Sequence, residues 1–332
     1  MKKTAVLAIT KNGIETSLKL KENFSDFDIF APMKFSDDDE KIDWYEESTS
    51  QKIVELFKNN DAIICLFSLG AVIRLIAPHI KDKKTDPAVI VIDDNANFVI
   101  SVLSGHLGGA NELSNEIATK IGATAVITTA ADVNKTIAVD LVGREFGWRI
   151  EDDSNVTRIS AFMVNKEKIG VFQNKGEKEW WSRKLPENIT IFSDMEEMKN
   201  SDCKGYLIIT NDEINDEEVL RDAVVYRIPD LVVGIGLHWD TSKDTILNGI
   251  NETLKKFGLR EKMIARFVSI KKDKDVIGLI ELGKEMRIPV EYINREELAT
   301  ISTPNPSKTV QAFEGTASVS EAAAIKSSGG EL

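Results

Sequence analysis

The sequence LSGHLGGANEL at residues 103–113 decides how the surrounding chain folds. The apolar run at residues 98–102 is typical of a β-strand, and residues 110–121 have the periodicity of a helix. A strand that leads through a glycine-rich turn into a helix gathers backbone N–H groups and the positive end of the helix dipole. Anions bind at such places without a basic side chain. The side chains that favour a ligand site over a simple capped turn are Ser104, His106, Asn111 and Glu112.

Strand-like and helix-like runs alternate along residues 1–150, which predicts an α/β/α sandwich with a mostly parallel sheet. The predicted strands cover residues 4–9, 27–30, 62–67, 88–92, 98–102 and 125–128. The predicted helices cover residues 49–58, 69–80, 110–121 and 136–146. The sequence DDNAN at residues 93–97 is typical of a hairpin turn, so we expect one antiparallel strand pair.

The rest of the chain predicts two further α/β segments. Residues 151–229 carry a helix pattern at 155–164 and three strand patterns, which suits a small middle or connecting segment. Residues 230–332 alternate strands at 231–235, 264–270 and 289–293 with helices at 242–257, 276–286 and 318–327. The fold class is therefore α/β in three parts: an N-terminal domain at 1–150, the middle segment at 151–229 and a C-terminal domain at 230–332.

Composition excludes several classes of partner. The chain has 332 residues and a net charge of −12, which counts against nucleic acid or an anionic membrane. No apolar run approaches the roughly 20 residues of a membrane span, and residues 4–9 are better explained as a strand than as a signal peptide. The two cysteines lie far apart, as is usual in a reducing compartment, and no Cys or His cluster has metal-ligand spacing. We expect a cytoplasmic protein with no bound metal.

Three loops of the N-terminal domain follow predicted strands and carry small polar residues. Besides the loop around His106, these are Ser68-Leu69-Gly70, with Arg74 on the following helix, and Thr128-Thr129-Ala130-Ala131-Asp132. Because parallel strands end at a common edge where ligands bind, we expect the three loops to share one cleft. A capped helix with a surface arginine is the simpler explanation of residues 68–74.

Two loops of the C-terminal domain are further candidates for ligand contact. The first is a strand-to-helix turn that contains Gly234, Gly236 and Thr241. The second contains two prolines and presents Asn305, Ser307 and Lys308. A helix cap and a structured loop are the alternative explanations. Neither glycine loop matches a dinucleotide fingerprint or is followed by a phosphate-loop lysine, and the Gly-x-Ser-x-Gly elbow of many hydrolases is absent from the sequence.

Five stretches together resemble the CbiG family of cobalamin biosynthesis. They are SLG at 68–70, LSGHLGGANEL at 103–113, ITTAAD at 127–132, VVGIG at 232–236 and TPNPSKTVQAFEGTASVSEAAAI at 303–325. The resemblance implies the anaerobic, early-cobalt route to the corrin ring. It further implies opening of a δ-lactone on a cobalt-precorrin and release of the extruded carbon with its methyl group as acetaldehyde. Cobalt then belongs to the substrate, and no protein-bound cofactor is implied.

The chain departs from the family pattern after Gly236. Relatives commonly carry a cysteine and basic residues there, whereas this sequence has Leu237, His238 and Trp239. Many relatives also continue past the position of Leu332 into a final strand. The C-terminal domain resembles a stand-alone protein of the aerobic pathway, which implies that this part binds corrinoid intermediates.

Lactone opening indicates roles for the residues around His106. An imidazole with an ordinary pKa of roughly 6.5 suits acid and base catalysis near neutral pH. We expect Glu112 to orient His106 or to act as a base, although a carboxylate in the first turn of a helix is also what the helix dipole favours. The N–H groups of Gly108 and Gly109 are expected to hold an oxyanion or a ring carboxylate.

The substrate implied by the resemblance carries several acetate and propionate carboxylates, whereas the protein is acidic. We expect helix N-termini, Asn111, Arg74, Lys135 and Lys308 to offset this repulsion. The predicted substrate-binding residues are Ser68, Gly70, Arg74, Ser104, Gly105, Gly108, Gly109, Asn111, Thr128, Thr129, Asp132, Gly234, Gly236, Thr241, Asn305, Ser307 and Lys308. Other corrin-pathway enzymes and a second copy of the chain are further candidate partners. The alternatives are a non-catalytic carrier of corrinoid intermediates and a nucleotide-binding α/β enzyme.

Overall fold

The computed structural model describes residues 3–37, 39–330 and 332. The chain divides into two compact units, and the division falls between Leu141 and Val142. The first unit contains a seven-stranded sheet, and the second contains a five-stranded and a three-stranded sheet. Most neighbouring strands in all three sheets are parallel, so the predicted α/β class is confirmed. Among the helices of the described residues, none is long and apolar enough to cross a membrane.

The first unit has its seven strands in the spatial order β3-β2-β1-β4-β5-β6-β7. The strands are β1 (Thr4–Ala8), β2 (Asp28–Pro32), β3 (Ile42–Tyr45), β4 (Ala62–Leu66), β5 (Ala88–Ile92), β6 (Phe98–Leu103) and β7 (Thr124–Val126). The helices are α1 (Lys11–Asn23), α2 (Thr49–Asn59), α3 (Leu69–Ile76), α4 (Ala110–Ile121) and α5 (Ala130–Val133). Every residue of β1, β4 and β5 is buried, because helices cover both faces of the sheet.

Strand direction changes once across this sheet. Strands β1 to β5 are parallel to one another, β6 is antiparallel to β5, and β7 is parallel to β6. The predicted hairpin turn at residues 93–97 makes this reversal, and the N–H of Ala96 donates to the carbonyl oxygen of Asp93 at 2.8 Å. The loops that follow β6 and β7 therefore lie at the edge where β1 to β5 begin, which we call the amino edge. The loops that follow β1 and β4 lie at the opposite, carboxyl edge.

The structure has one helix that the sequence pattern does not predict and lacks one that it does. Helix α1 follows β1 and was not predicted, although Thr10 caps it by accepting a hydrogen bond from the N–H of Gly13 at 3.0 Å. The predicted helix at 136–146 does not form. Short 3₁₀ turns at Val139–Leu141 and Arg144–Phe146 replace it, and Gly143 between them has a φ of 67°, which a continuous helix does not accept.

The second unit begins with a five-stranded sheet in the order β10-β9-β11-β12-β8, in which β8 is antiparallel to β12. Its strands are β8 (Arg149–Ile150), β9 (Ile169–Gln173), β10 (Ile189–Phe192), β11 (Gly205–Ile209) and β12 (Ala223–Arg227). Helices α6 (Val156–Val164), α7 (Met195–Lys199) and α8 (Glu217–Arg221) accompany it. The buried Arg227 pairs with Glu151, and Glu151 also pairs with Arg260 from the following sheet region.

The last sheet has three parallel strands, β13 (Leu231–Gly234), β14 (Ile264–Ile270) and β15 (Val290–Ile293), in chain order. Its helices are α9 (Lys243–Lys256), α10 (Ile277–Met286), α11 (Arg295–Ala299), α12 (Lys308–Glu314) and α13 (Val319–Ser328). Gly234 lets α13 pack closely on β13, because a Cβ atom there would lie 1.9 Å from the carbonyl oxygen of Ser320. The three-part division at 150 and 229 stays a prediction.

Candidate functional site

His106 lies in the loop between β6 and α4, where carboxylates from two other segments contact its ring. Its Nε2 lies 3.0 Å from Oδ2 of Asp132, which belongs to α5 after β7. Its Nδ1 lies 3.3 Å from Oδ1 of Asp140, which belongs to the 3₁₀ turn after α5. The ring is therefore held between two acids at the amino edge of the sheet.

The conformation of this loop depends on its small residues. Gly109 has a φ of 85°, and Ser104 has a φ of 55° in the same left-handed region. A Cβ atom on Gly105 would lie 2.6 Å from Oδ1 of Asn111, so only glycine leaves room for that amide. The loop is tied to the start of β5, because the Ser104 hydroxyl donates to the carbonyl oxygen of Asp86 at 2.9 Å.

Asn111 joins the two loops that meet at His106. The residue is buried, and its Oδ1 accepts a hydrogen bond from the Ser101 hydroxyl at 2.7 Å. Its Nδ2 donates to Oγ1 of Thr129 at 2.9 Å and to Oδ2 of Asp132 at 2.8 Å. The expectation that the loops around 106 and 128–132 lie together is confirmed by these contacts. Thr128 is exposed next to them.

The two carboxylates favour the protonated form of His106. The hydrogen bond to Asp140 is the largest influence and raises the pKa of His106 above its ordinary value, against the opposing effect of burial. Asp132 raises the pKa of His106 less, although it is the nearer group, because its side chain is 44% exposed and that of Asp140 only 19%. The two acids thus favour the imidazolium form of this partly buried ring.

Asp140 responds to the same contact in the opposite sense. Burial by itself raises the pKa of this carboxyl group, but the hydrogen bond and the positive charge of His106 outweigh burial. Lys83 adds a smaller effect of the same sign, and the pKa of Asp140 lies below its ordinary value. Asp140 is thus an ionised partner of His106, although the helix pattern at residues 136–146 carries no signal for it.

Three main-chain amides at the end of this loop and the start of α4 donate to carbonyl oxygens within the loop. The N–H of Gly109 donates to the carbonyl oxygen of His106 at 2.9 Å. The N–H groups of Ala110 and Asn111 donate to the carbonyl oxygens of Ser104 and Gly105 at 3.2 and 3.0 Å. The N–H groups of Gly109, Ala110 and Asn111 are therefore already paired in this structure, and the predicted oxyanion role of Gly108 and Gly109 stays a prediction. The loop folds back and satisfies these three N–H groups itself.

Glu112 does not hold His106 in this structure. It lies exposed in the first turn of α4, where a carboxylate interacts favourably with the helix dipole. Asp132 and Asp140, rather than Glu112, contact the ring of His106 and orient it. Gly108 lies against Ser104, since a Cβ atom on it would be 2.6 Å from the carbonyl oxygen of Ser104.

The prediction that the Ser68 loop shares the cleft with His106 is wrong. Ser68, Gly70 and Arg74 follow β4 and lie at the carboxyl edge of the sheet. The loops around His106 and Thr129 follow strands that run the other way and therefore lie at the amino edge. Arg74 donates to the carbonyl oxygen of Gly70 at 3.0 Å, within its own helix.

The candidate residues of the C-terminal sheet belong to two groups. Gly234, Gly236 and Thr241 line a cavity of about 580 Å³ between β13, α9 and α13. The described residues that line it are mostly apolar, and His238 and Glu321 are the titratable ones, so its surface does not suit a polycarboxylate. Asn305, Ser307 and Lys308 lie outside this lining.

Asn305 and Ser307, which lie outside the cavity lining, have structural roles. Glu321 accepts hydrogen bonds from the N–H and the side-chain amide of Asn305 at 3.0 and 2.8 Å. Ser307 caps α12 by accepting from the N–H of Val310 at 3.3 Å, and Lys308 is exposed beside it. Across the described ranges, no three side chains of His, Cys, Asp or Glu form a set that could hold a metal ion.

Comparison with protein families gives three matches along the chain. Residues 51–132 match the model "Cobalamin synthesis G N-terminal", residues 137–229 match "Cobalamin biosynthesis central region", and residues 231–332 match "Cobalamin synthesis G C-terminus". His106, Asn111 and Asp132 fall within the first match, whereas Asp140 falls within the second.

Two curated proteins and one solved structure are similar over most of this chain. A cobalt-precorrin-5A hydrolase of Priestia megaterium is 41% identical over 98% of this chain and 89% of its own length. The protein of the same name from Salmonella typhimurium is 30% identical over 84% of this chain and 79% of its own. A cobalamin biosynthesis protein G homolog from Sulfolobus solfataricus has 20% identity and a TM-score of 0.42, and the match covers 98% of this chain and 89% of that one.

Proposed function

Because the chain belongs to the CbiG family of cobalamin biosynthesis, we propose that it is a cobalt-precorrin-5A hydrolase. The reaction opens the δ-lactone of cobalt-precorrin-5A and releases acetaldehyde to give cobalt-precorrin-5B. The similarity to the Priestia megaterium hydrolase, 41% over 98% of this chain, is the observation that carries the proposal. The cluster of His106, Asp132 and Asp140 is the proposed catalytic site.

The two carboxylates differ in what they leave available to a substrate. Asp140 is the more buried and contacts Nδ1, so it holds the ring in one orientation and stabilises its charge. Asp132 contacts Nε2 and its side chain is nearly half exposed, so a substrate oxygen can replace this carboxylate at Nε2. Nε2 is therefore the nitrogen that we assign to proton transfer, and Asp140 is a positioning residue.

The imidazolium of His106 is suited to the lactone step. Water adds to the lactone carbonyl and loses one proton to the solvent, the ring C–O bond breaks, and its electron pair moves to the departing oxygen. The proton on Nε2 goes to that oxygen, which leaves a hydroxyl group on the substrate and a neutral imidazole on the protein. By raising the pKa of His106, Asp140 favours the protonated form that this step requires.

The neutral imidazole then serves the carbon–carbon cleavage. It takes the proton back from the new hydroxyl as the adjacent carbon–carbon bond breaks. The oxygen and its carbon leave as acetaldehyde, the electron pair of the broken bond stays with the conjugated macrocycle, and a proton from water completes the ring carbon. His106 ends as an imidazolium, ready for another lactone.

Several narrower assignments belong to the same proposal. Cobalt enters as part of the substrate, and the protein needs no cofactor of its own. A cytoplasmic location, a homodimer and contacts with other enzymes of the pathway stay predictions. The alternative is a carrier that binds the corrinoid without changing it.

The test is anaerobic incubation of the purified protein with cobalt-precorrin-5A, with acetaldehyde trapped and counted against substrate consumed. We expect one acetaldehyde for each cobalt-precorrin-5B formed. His106→Ala should lower kcat by about 10²- to 10⁴-fold, the usual contribution of one acid–base group, with little change in substrate binding. Binding without acetaldehyde release by the wild type would identify a carrier, and wild-type turnover by His106→Ala would remove His106 from the reaction.

A further inference from the structure

A lysine-rich loop lies at the same sheet edge as His106. It comprises Lys81-Asp82-Lys83-Lys84 and precedes β5. Val89 near the start of β5 pairs with Leu103 at the end of β6, because these two strands are antiparallel. The start of β5 and the loop around His106 are therefore neighbours, and the hydrogen bond from Ser104 to Asp86 joins them directly.

The backbone of this loop is held by a buried carboxylate. Asp86 is 8% exposed, and its Oδ2 accepts hydrogen bonds from the N–H groups of Lys81 and Asp82 at 2.8 and 3.0 Å. The side chain of Asp82 accepts from the N–H of Lys84 at 2.8 Å. These contacts order the turn, while the side chains of all three lysines are exposed. The lysines therefore lie on an ordered, exposed turn.

The positive charge of the loop reaches the catalytic cluster. Lys83 and Asp140 interact through their charges, and Asp140 contacts His106 at 3.3 Å. Three lysines and one aspartate give residues 81–84 a charge of about +2 at neutral pH, in a chain whose net charge is −12. A substrate that carries several carboxylates meets repulsion from the protein as a whole and attraction at this loop.

We propose that Lys81, Lys83 and Lys84 form a carboxylate-binding subsite that holds acetate and propionate groups of the substrate beside His106. The inference rests on the proposed function, since it is the polycarboxylate macrocycle that gives the lysines their partners. The lysines supply carboxylate contacts beyond those first assigned to main-chain amides, because the amides of Gly109, Ala110 and Asn111 donate within their own loop. Lysine ammonium groups form charge-assisted hydrogen bonds with carboxylates.

The test is a triple variant, Lys81→Glu with Lys83→Glu and Lys84→Glu, in the full-length protein. The matched control is Lys11→Glu with Lys34→Glu and Lys41→Glu. These exposed lysines adjoin β1, β2 and β3, away from His106 in the sheet order, and the change in net charge is the same. Acetaldehyde release gives kcat and KM, and equilibrium titration with cobalt-precorrin-5A gives Kd.

We expect the loop variant to raise Kd and KM at least about tenfold and to leave kcat within about threefold. The control should change Kd less than about threefold, because distant exposed charges are screened by salt. The Kd of the wild type should rise with ionic strength, and that of the loop variant should depend on salt much less. Equal Kd values for the loop variant and the control would overturn the subsite.

The result also separates this inference from the proposed function. Acetaldehyde release by the wild type together with an unchanged Kd in the loop variant would leave the hydrolase assignment in place without the subsite. Weakened binding by the loop variant together with no acetaldehyde from the wild type would leave the subsite in place on a carrier. Absence of binding by the wild type would overturn both.

Discussion

The two edges of the seven-stranded sheet differ in what their loops bring together. At the carboxyl edge, Asp94 accepts hydrogen bonds from Thr10 at 2.6 Å and from Asn12 at 3.0 Å, and both Asp94 and Asn12 are exposed. At the amino edge, His106 is half-buried between Asp132 and Asp140, with the lysine-rich loop beside it. Parallel α/β sheets usually bind ligands at the carboxyl edge. In this unit the reversal at β6 moves the glycine-rich loop, and the titratable cluster with it, to the other edge.

The largest difference in activity between variants of the two edges is expected at Asp140. Asp140→Asn removes the charge that most raises the pKa of His106, so that pKa should fall. We expect kcat to decrease about 10²-fold, because the ring loses both its orientation and its proton. Activity that depends on the imidazolium is lost as pH rises through the pKa of His106, so the alkaline limb of kcat should move to lower pH in the variant. Rates measured across pH 5 to 9 check this.

The control for Asp140 is the matching carboxylate at the other edge. Asp94→Asn should leave kcat and its pH profile unchanged. Proton NMR of the three histidines, His79, His106 and His238, gives the pKa of His106 without reference to turnover. A histidine pKa in Asp140→Asn that equals the wild-type value would show that Asp140 does not set the charge of the ring.

The contact between His106 and Asp140 also predicts how the free energy of unfolding depends on pH. The pKa of His106 is raised in the folded state, so the ion pair with Asp140 stabilises the protein fully below the unfolded pKa of about 6.5. That contribution disappears as pH rises through the folded pKa. The difference in free energy of unfolding between wild type and Asp140→Asn should therefore be larger at pH 6 than at pH 9. A difference that grows with pH would contradict the assignment.

A smaller effect is expected for the amide that joins the loops. Asn111→Ala leaves the Ser101 and Thr129 hydroxyls and one oxygen of Asp132 without their buried partner, which costs about 2–3 kcal/mol. Asn12→Ala removes one exposed hydrogen bond at the opposite edge and should cost less than about 0.5 kcal/mol. Urea unfolding of both variants measures the two values, and equal losses would mean that the amino edge is no more rigid than the carboxyl edge.

The sequence predicts which residue types form this site better than it predicts which loops of the sheet lie together. The glycines, His106 and Asn111 of LSGHLGGANEL, together with the threonines and Asp132 of ITTAAD, were sufficient to place two loops together. Their shared position follows from the parallel pair β6 and β7, which alternating strand and helix patterns predict.

Three structural features could not be predicted from the sequence pattern, each for a physical reason. The sequence predicts the hairpin at 93–97. Because β6 and β7 run opposite to β4 after this hairpin, the loop around His106 lies at the other edge of the sheet from Ser68. The contact of Asp140 with His106 could not be predicted, because a segment with the apolar spacing of a helix forms 3₁₀ turns around Gly143. The lysines at 81–84 are typical of any solvated loop. The pairing of β5 with β6 and the contact between Ser104 and Asp86 place them beside the site.

The smallest expected effect lies at the carboxyl edge and tests whether that edge takes part in the reaction. Arg74 is exposed, and its guanidinium donates to the carbonyl oxygen of Gly70 one helical turn back, so a structural role accounts for it. Arg74→Ala should change the KM for cobalt-precorrin-5A less than about twofold, and Ser68→Ala should behave alike. A tenfold rise in KM for Arg74→Ala, equal to that of the lysine triple, would mean that the macrocycle also reaches the carboxyl edge. The original expectation of one cleft shared by three loops would then return in a different form, as a substrate that spans the sheet from edge to edge.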